Sequence, residues 1–322
     1  MDKYLITGFS GFVGKHFLDL LELKGEAAIA MGVDLFPPNF EYQKNRNIQC
    51  EFMRLDLLES NAVQSVLSKF KPDYLLHLAS YSSVSFSWKN PVLSFQNNAN
   101  IFLNILEAIQ IYNLPTRILS VGSSEVYGDI KTENIPIIEE QSLNPKSPYA
   151  VARISQELLS KIFTDGYGLD IVLTSSFNHI GPGQREIFAV PSFAKQIVEG
   201  HMRGEKSITL RAGDLNITRD FLDVRDVVKA YYVLLKQGRK GEIYNICSGR
   251  GVSLIEILTL MERTMDVRCV ISKDPKLLRP VDNAIIIGSN AKLKKETGWN
   301  PEISLEQSIN DILMDGKFKQ NK

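Results

Sequence analysis

The chain has 322 residues, 44% of them apolar, and its 37 Lys and Arg balance 37 Asp and Glu. A net charge of zero argues against wholesale binding to nucleic acid or an anionic membrane, and no run is long and apolar enough to cross a bilayer. The three cysteines, Cys50, Cys247 and Cys269, lie far apart in sequence, so neither a disulfide framework nor a zinc site is written there, and no metal is expected. A reduced, cytoplasmic protein fits this composition. No basic segment followed by an apolar one opens the chain, so the first residues are expected to be structural.

In chain order, a short apolar run, Tyr4 to Ile6, breaks at Gly8, and Gly11 and Gly14 follow at three-residue spacing. An amphipathic segment starts at Phe12. Strand, glycine turn and helix in this order let a pyrophosphate approach the backbone, with the first free N–H groups of the helix aimed at it. Glycines at this spacing also occur in plain turns. The context favours a dinucleotide site, because a second apolar run ends in Asp34, twenty residues after Gly14. An acid there accepts hydrogen bonds from the adenosine ribose and repels a 2′-phosphate, so NAD is the expected cofactor and NADP the second candidate. The plainer alternative for Asp34 is a loop carboxylate.

The pattern predicts strands at 3–7, 27–33, 50–54, 73–78, 116–121 and 170–175, with helices at 12–24, 59–69, 92–112 and 148–164. Such alternation predicts an α/β fold, a Rossmann-like doubly wound parallel sheet covered by helices on both faces. Ligands on these sheets bind beyond the carboxyl ends of the strands, where Gly8, Asp34, Asp56, Ala79, Ser123 and Asn178 fall. After residue 180 the rhythm changes. A turn, GPGQ, leads to a helical pattern at 193–204 and a strand at 207–213; an Asp-rich start at 219 then opens a helix, and 241–249 reads as a strand. The expected organisation is a dinucleotide-binding domain over 1–180, to which 219–249 returns. A smaller C-terminal mixed α/β lobe within 181–322 is expected to bind substrate.

Two further clusters carry chemistry. SVGSSEVYG at 120–128 is a strand ending in small hydroxyl residues, with Glu125 close behind; SPYAVARISQELL at 147–159 places Tyr149 near a helix start and Arg153 one turn later on the same face. A cation beside a phenol favours the phenolate. A tyrosine so placed can pass a proton to or from a carbonyl oxygen that a neighbouring serine hydroxyl holds. Singly, Tyr149 also reads as an interfacial aromatic, Arg153 as a solvated charge and Ser123 as a strand-end cap. Together with a dinucleotide site they favour carbonyl reduction or alcohol oxidation.

These motifs resemble, in order, the extended short-chain dehydrogenase/reductase family of NAD-dependent nucleotide-sugar epimerases, dehydratases and reductases. The matching elements are TGFSGFVG (7–14), LDL (55–57), HLAS (77–80), Asn98, GSSEVYG (122–128), Tyr149 with its helix, SFNHIGPGQ (176–184), RDFLDVRDVVKA (219–230) and YNICSG (244–249). From SFNHIGPGQ onward the chain is most similar to the GDP-4-keto-6-deoxy-D-mannose reductases, through FAKQIVEG, RDFLDVRD, LLRPVDN, GSNAKLKKETGWNP and ISLEQS.

The resemblance implies that Gly8, Gly11 and Gly14, with Phe12 and Val13, receive the pyrophosphate, that Asp34 binds the ribose, and that Asp56 and Leu57 flank the adenine. Leu78, Ala79, Ser80, Asn98, Tyr149 and Arg153 would complete the cofactor site. Tyr149 would be the general acid, Ser123 its partner at the carbonyl oxygen, and Glu125 stands where dehydratases keep a base. Ser82, Ser123, Asn178, Lys195, Arg219 and Arg279 would hold a nucleotide-diphosphate sugar. The chain departs from the family at Arg153, where relatives have a lysine that contacts the nicotinamide ribose, and at Ile101, where they often have glycine. Arginine keeps the charge but cannot release a proton.

The implied activity is reduction of the C4 ketone of GDP-4-keto-6-deoxy-D-mannose to GDP-D-rhamnose. A GDP-mannose 4,6-dehydratase comes second, a 4-epimerase third, and a non-catalytic sensor last. The family also implies a homodimer through helices 92–112 and 148–164. Phe102, Ile105, Leu106 and Ile109 suit either that interface or packing on the sheet.

Overall fold

The structure, a computed structural model, describes residues 1–43, 47–278 and 283–320, the last five of these by backbone alone. The first half alternates as its hydrophobic periodicity predicts. It runs β1 (Asp2–Thr7), α1 (Phe12–Lys24), β2 (Ala28–Asp34), β3 (Ile48–Arg54), α2 (Ser60–Phe70) and β4 (Tyr74–His77). Then come α3 (Val84–Lys89), α4 (Pro91–Phe95), a π-helical turn (Gln96–Asn100), α5 (Ile101–Ile111), β5 (Arg117–Ser123), α6 (Pro148–Tyr167) and β6 (Asp170–Ser176). The second half contains β7 (Asn178–Ile180), α7 (Ala189–Met202), β8 (Ser207–Ala212), β9 (Thr218–Asp223), α8 (Val224–Gln237) and β10 (Ile243–Ile246). It ends with β11 (Gly251–Ser253), α9 (Leu254–Met265), β12 (Arg268–Lys273), β13 (Ile285–Ile286), α10 (Ala291–Thr297) and α11 (Leu305–Gln320).

Seven parallel strands form the main sheet in the order β10-β6-β5-β4-β1-β2-β3. The strand order reverses between β1 and β4, the switch point at which open α/β sheets receive ligands. Both faces are covered. Phe17 and Leu21 of α1 pack with Val227 and Tyr231 of α8 on one face, and Val63 and Leu67 of α2 pack with Phe102 and Ile105 of α5 on the other. Each such side chain contributes about 1.5–3 kcal/mol when fully buried. Phe102, Ile105, Leu106 and Ile109 are all buried against Leu5, Leu75 and Ile118. They face the sheet, and of their two expected roles the interface one is corrected.

Three other elements differ from the sequence reading. The helix expected over 92–112 is three pieces: Pro91 starts α4, the π turn inserts around Asn98, and α5 follows. Helix α3 was unexpected; Ser83 caps it, its Oγ accepting from Phe86 N at 3.2 Å. The Asp-rich start expected to open a helix is strand β9, paired with β7, β11 and β13. Its acids are accounted for inside the fold. Asp220 is fully buried and accepts from the N–H groups of Ser248 (2.7 Å), Gly249 (2.9 Å) and Gly288 (3.3 Å). Asp223 caps α8, accepting from Arg225 N at 2.8 Å.

Of the segment 219–249, α8 and β10 join the main sheet, whereas β9 does not. Strands β8 and β12 pair in parallel, and Ile197 of α7, Leu210 of β8, Ile257 of α9 and Leu313 of α11 share a separate apolar cluster. Among the described residues, no helix is long and apolar enough to cross a membrane.

Candidate active site

A cleft of about 1230 Å³ opens over the carboxyl ends of the main-sheet strands and extends to α7 and β9. Its floor is set at the first turn. Gly8 has φ +66°, and a Cβ there would lie 2.7 Å from Ala79 N, so only glycine fits. Gly11 N donates to Gly8 O at 3.0 Å, and Gly11 caps α1 with no side chain over its first N–H groups. Phe12 and Val13 line the cleft beside it. Thr7 Oγ1 accepts from Leu78 N (3.1 Å) and Ala79 N (3.2 Å), which holds the Leu78-Ala79-Ser80 wall against this turn.

Asp34 ends β2 at the cleft wall. Its Oδ1 accepts from Leu35 N at 2.7 Å and its Oδ2 from Ser10 N at 3.1 Å. Asp56 and Leu57 line the same end, with Asp56 Oδ1 accepting from Leu58 N at 2.9 Å.

Two expected cofactor residues are corrected. Gly14 does not line the cleft: a Cβ there would sit 2.3 Å from Phe9 O, so its absence lets α1 lie close to the turn. Asn98 is fully buried in the π turn, its Nδ2 donating to Ser94 O at 2.6 Å, and it too is away from the wall.

The start of α6 positions the phenol. Ser147 caps the helix, its Oγ accepting from Ala150 N at 3.1 Å, and Pro148 occupies the first turn. Tyr149 therefore faces the cleft, with Arg153 one turn behind it, both 5% exposed. Arg153 Nε donates to Tyr149 Oη at 3.1 Å, and its guanidinium carbon lies 5.2 Å from the ring centre. Nη1 donates to Val121 O (3.0 Å) and Gln156 Oε1 (2.5 Å), and Nη2 to Ser80 Oγ. No carboxylate among the described residues lies within salt-bridge distance of Arg153. Ser123 closes β5, its Oγ accepting from Glu125 N at 3.3 Å; both line the cleft with Tyr149. His77, fully buried at the end of β4, bonds Thr7 Oγ1 through Nδ1 at 2.9 Å. Burial, and secondarily the Arg153 charge, push its imidazole down to about 3, so it is neutral.

Of the expected substrate residues, Ser82, Ser123, Asn178 and Arg219 line the cleft, and Arg219 Nη1 donates to Thr218 O at 2.9 Å. Lys195 is corrected: on α7, it is not among the lining residues but pairs with Glu186, which is, at 2.6 Å, and with Glu199 at 3.9 Å. Arg279 lies outside the described residues. The sequence reading missed Lys89, Arg211 and Lys276, cations that also line the cleft, and left Arg185 without a place. It also missed Gln156, which helical spacing could have found, seven residues after Tyr149 and three after Arg153. Among the described residues no group of acids, histidines or cysteines could hold a metal ion.

The family model described as GDP-mannose 4,6 dehydratase matches residues 5–312. The chain belongs to the GDP-mannose 4,6-dehydratase family. Within it, GDP-6-deoxy-D-mannose reductase of Pseudomonas aeruginosa is 34% identical over 97% of this chain and 96% of its own length. UDP-glucuronate 4-epimerase of Thermodesulfobacterium geofontis is 28% identical over 96% of this chain and 94% of its own. Among solved structures, RMD from P. aeruginosa complexed with NADPH superposes with a TM-score of 0.85 at 32% identity, covering 99% of this chain and 100% of that one. The UDP-glucose 4-epimerase of Thermotoga maritima, solved with UDP-glucose, gives 0.84 at 27% identity over 99% of both chains. The resemblance to nucleotide-sugar reductases, dehydratases and epimerases is borne out, as is the Rossmann-like sheet.

Proposed function

We propose that the chain is an NAD(P)H-dependent reductase that converts GDP-4-keto-6-deoxy-D-mannose to GDP-D-rhamnose. The observation that carries this is the phenol of Tyr149, held by Arg153 Nε at 3.1 Å and lining one cleft with Ser123 and the Gly8–Gly11 turn. The full-length similarity to a GDP-6-deoxy-D-mannose reductase supports the substrate. The residues fit a dinucleotide: Gly11 leaves the first N–H groups of α1 without a side-chain cap, and Asp34 is fixed where a ribose would meet it. A bound dihydronicotinamide supplies the hydride to C4.

The chain's own residues do the rest. Ser123 Oγ accepts from the backbone of Glu125, which leaves its hydroxyl proton to hold the C4 oxygen. Tyr149 donates the proton that turns that oxygen into a hydroxyl. Arg153 steadies the resulting phenolate with a permanent charge and the Nε–H bond. Because the guanidinium keeps its protons, Tyr149 is reprotonated from the cleft. Arg219 and Asn178 take the sugar nucleotide. NADH is the favoured donor, since the Asp34 carboxylate would repel a 2′-phosphate.

Purified protein supplied with NADH and GDP-4-keto-6-deoxymannose made in situ should lose the NADH absorbance band. Tyr149→Phe should slow this by about a thousandfold. Wild-type inactivity there, with GDP-mannose converted to its keto sugar, would favour the second reading, a 4,6-dehydratase. Glu125 on the cleft wall beside Ser123 would then be the base at C5.

We assign 1–180, with α8 and β10, to the dinucleotide and most of 181–322 to the substrate, in a cytoplasmic enzyme. A homodimer would cover Leu93 of α4, Leu103 of α5 and Leu158 and Ile162 of α6, which are 39–59% exposed. Sedimentation of the wild type against Leu158→Glu/Ile162→Glu tests it: a wild type that sediments as a monomer excludes the dimer.

A further inference from the structure

Arg153 has a geometric requirement that a lysine would not. An ammonium rotates freely and presents three donors, whereas a guanidinium is a planar fork whose Nε points at Tyr149 only when the whole plane is set. That plane is set by three neutral acceptors: Ser80 Oγ on Nη2, and Val121 O with Gln156 Oε1 on Nη1. The backbone carbonyl is fixed by β5. Gln156, 1% exposed, is a side chain that would be free to turn its amide over.

Its other end prevents this. Gln156 Nε2 donates to Ser120 Oγ at 2.9 Å and to Val121 O at 3.2 Å. With the amide reversed, an NH₂ would face the guanidinium and an oxygen would face the Val121 carbonyl, losing two bonds at once in a buried site. Ser120 is in turn bonded by Ser160 Oγ at 3.2 Å, and both are buried. The network carries no net charge, so it orients the fork without cancelling its field.

We propose that Gln156 is a positioning residue that holds the Arg153 guanidinium in the plane where Nε donates to Tyr149. The catalytic part of this inference rests on the reading of Tyr149 as proton donor; the geometric part does not. The variant is Gln156→Met in the full chain, which keeps the volume and removes both polar ends. The first measurement needs no substrate: in ¹⁵N-arginine-labelled protein, the Arg153 Nε–H resonance is assigned by its loss in Arg153→Lys, and its exchange with water is followed. Gln156→Met should exchange about tenfold faster or more. Ser120→Ala, a milder change that removes one of the two acceptors holding the amide Nε2, should shift exchange in the same direction.

In the second measurement, Gln156→Met should lower kcat by about tenfold with KM for NADH and for the keto sugar unchanged. Unaltered exchange in both variants would overturn the proposal. So would faster exchange with an intact kcat, or a loss in which KM moves as much as kcat. A wild type that consumes no NADH would sink the proposed reductase, and the exchange measurement would still decide the role of Gln156.

Discussion

Lys236 of α8 stands at the amino ends of β1 and β4, over the rings of Tyr74 (4.1 Å), Tyr4 (5.4 Å) and Tyr232 (5.6 Å), and pairs with Asp2. At the opposite end of the same sheet Arg153 is buried, and among the described residues every partner it has is a neutral oxygen. Around Lys236, burial dominates and pushes the Tyr4 hydroxyl up to about 12, so that phenol stays protonated and inert. The contrast teaches how one fold uses a half-buried cation and a buried one in two ways. A carboxylate beside a cation stabilises the fold and spends the field locally; carbonyls, hydroxyls and an amide hold the cation still and leave its field to act on a phenol. Asp34 follows the second pattern with the sign reversed, anchored by backbone N–H groups at the carboxyl end of β2.

The largest test removes the cation at the carboxyl end. Arg153→Met should cut kcat about a hundredfold and lower the melting temperature as well, since Gln156 Oε1 and Val121 O each lose a buried donor. Retained activity would mean that the field of this cation is irrelevant. Next, Asp34→Ala should raise the ratio of kcat/KM for NADPH over NADH by about tenfold, through loss of the fixed negative charge. An unchanged ratio would detach Asp34 from cofactor choice.

His77 gives the pH test. Its imidazole is held near 3 in the fold, against about 6.5 in an unfolded chain. Below about 6.5 the unfolded state takes a proton that the fold refuses, so stability that is complete above that pH is lost progressively as pH falls towards 3, by about 1.4 kcal/mol per unit. Denaturant midpoints measured from pH 7 to 5 should fall less steeply in His77→Gln; equal slopes would refute the assignment. Smallest of all, Lys236→Met should cost about 1 kcal/mol of stability and leave kcat untouched. A fall in kcat there would erase the distinction between the two ends.

Local signals were legible in the sequence. The Gly8 turn, α1 and Asp34 could be read because glycine spacing and amphipathic period are properties of a dozen neighbouring residues. The Tyr149–Arg153 contact followed from helical spacing alone. Features that depend on distant partners were not. Asp220 reads as a helix-opening acid until it meets backbone donors at Ser248, Gly249 and Gly288. Lys195 sits in a family motif, but its pairing with Glu186 of the cleft lining depends on a residue nine positions away that no helical period links to it. The π turn at Gln96–Asn100 escapes because one inserted residue barely alters the apolar pattern on which a helix is read. Nor can apolarity say whether Phe102 and Ile105 meet a sheet or a second copy, since both are apolar surfaces.

Strand β10 has a consequence for synthesis. The chain leaves the main sheet after β6, lays down β7, β8 and β9, and only then returns to pair Ile243–Ile246 with Leu173–Ser176. While a ribosome is still making the intervening stretch, the outer edge of β6 is an unpaired strand template on a nascent protein. Completion of the main sheet therefore waits on the emergence of much of the second half. A chain cut between the two would carry that sticky edge for good.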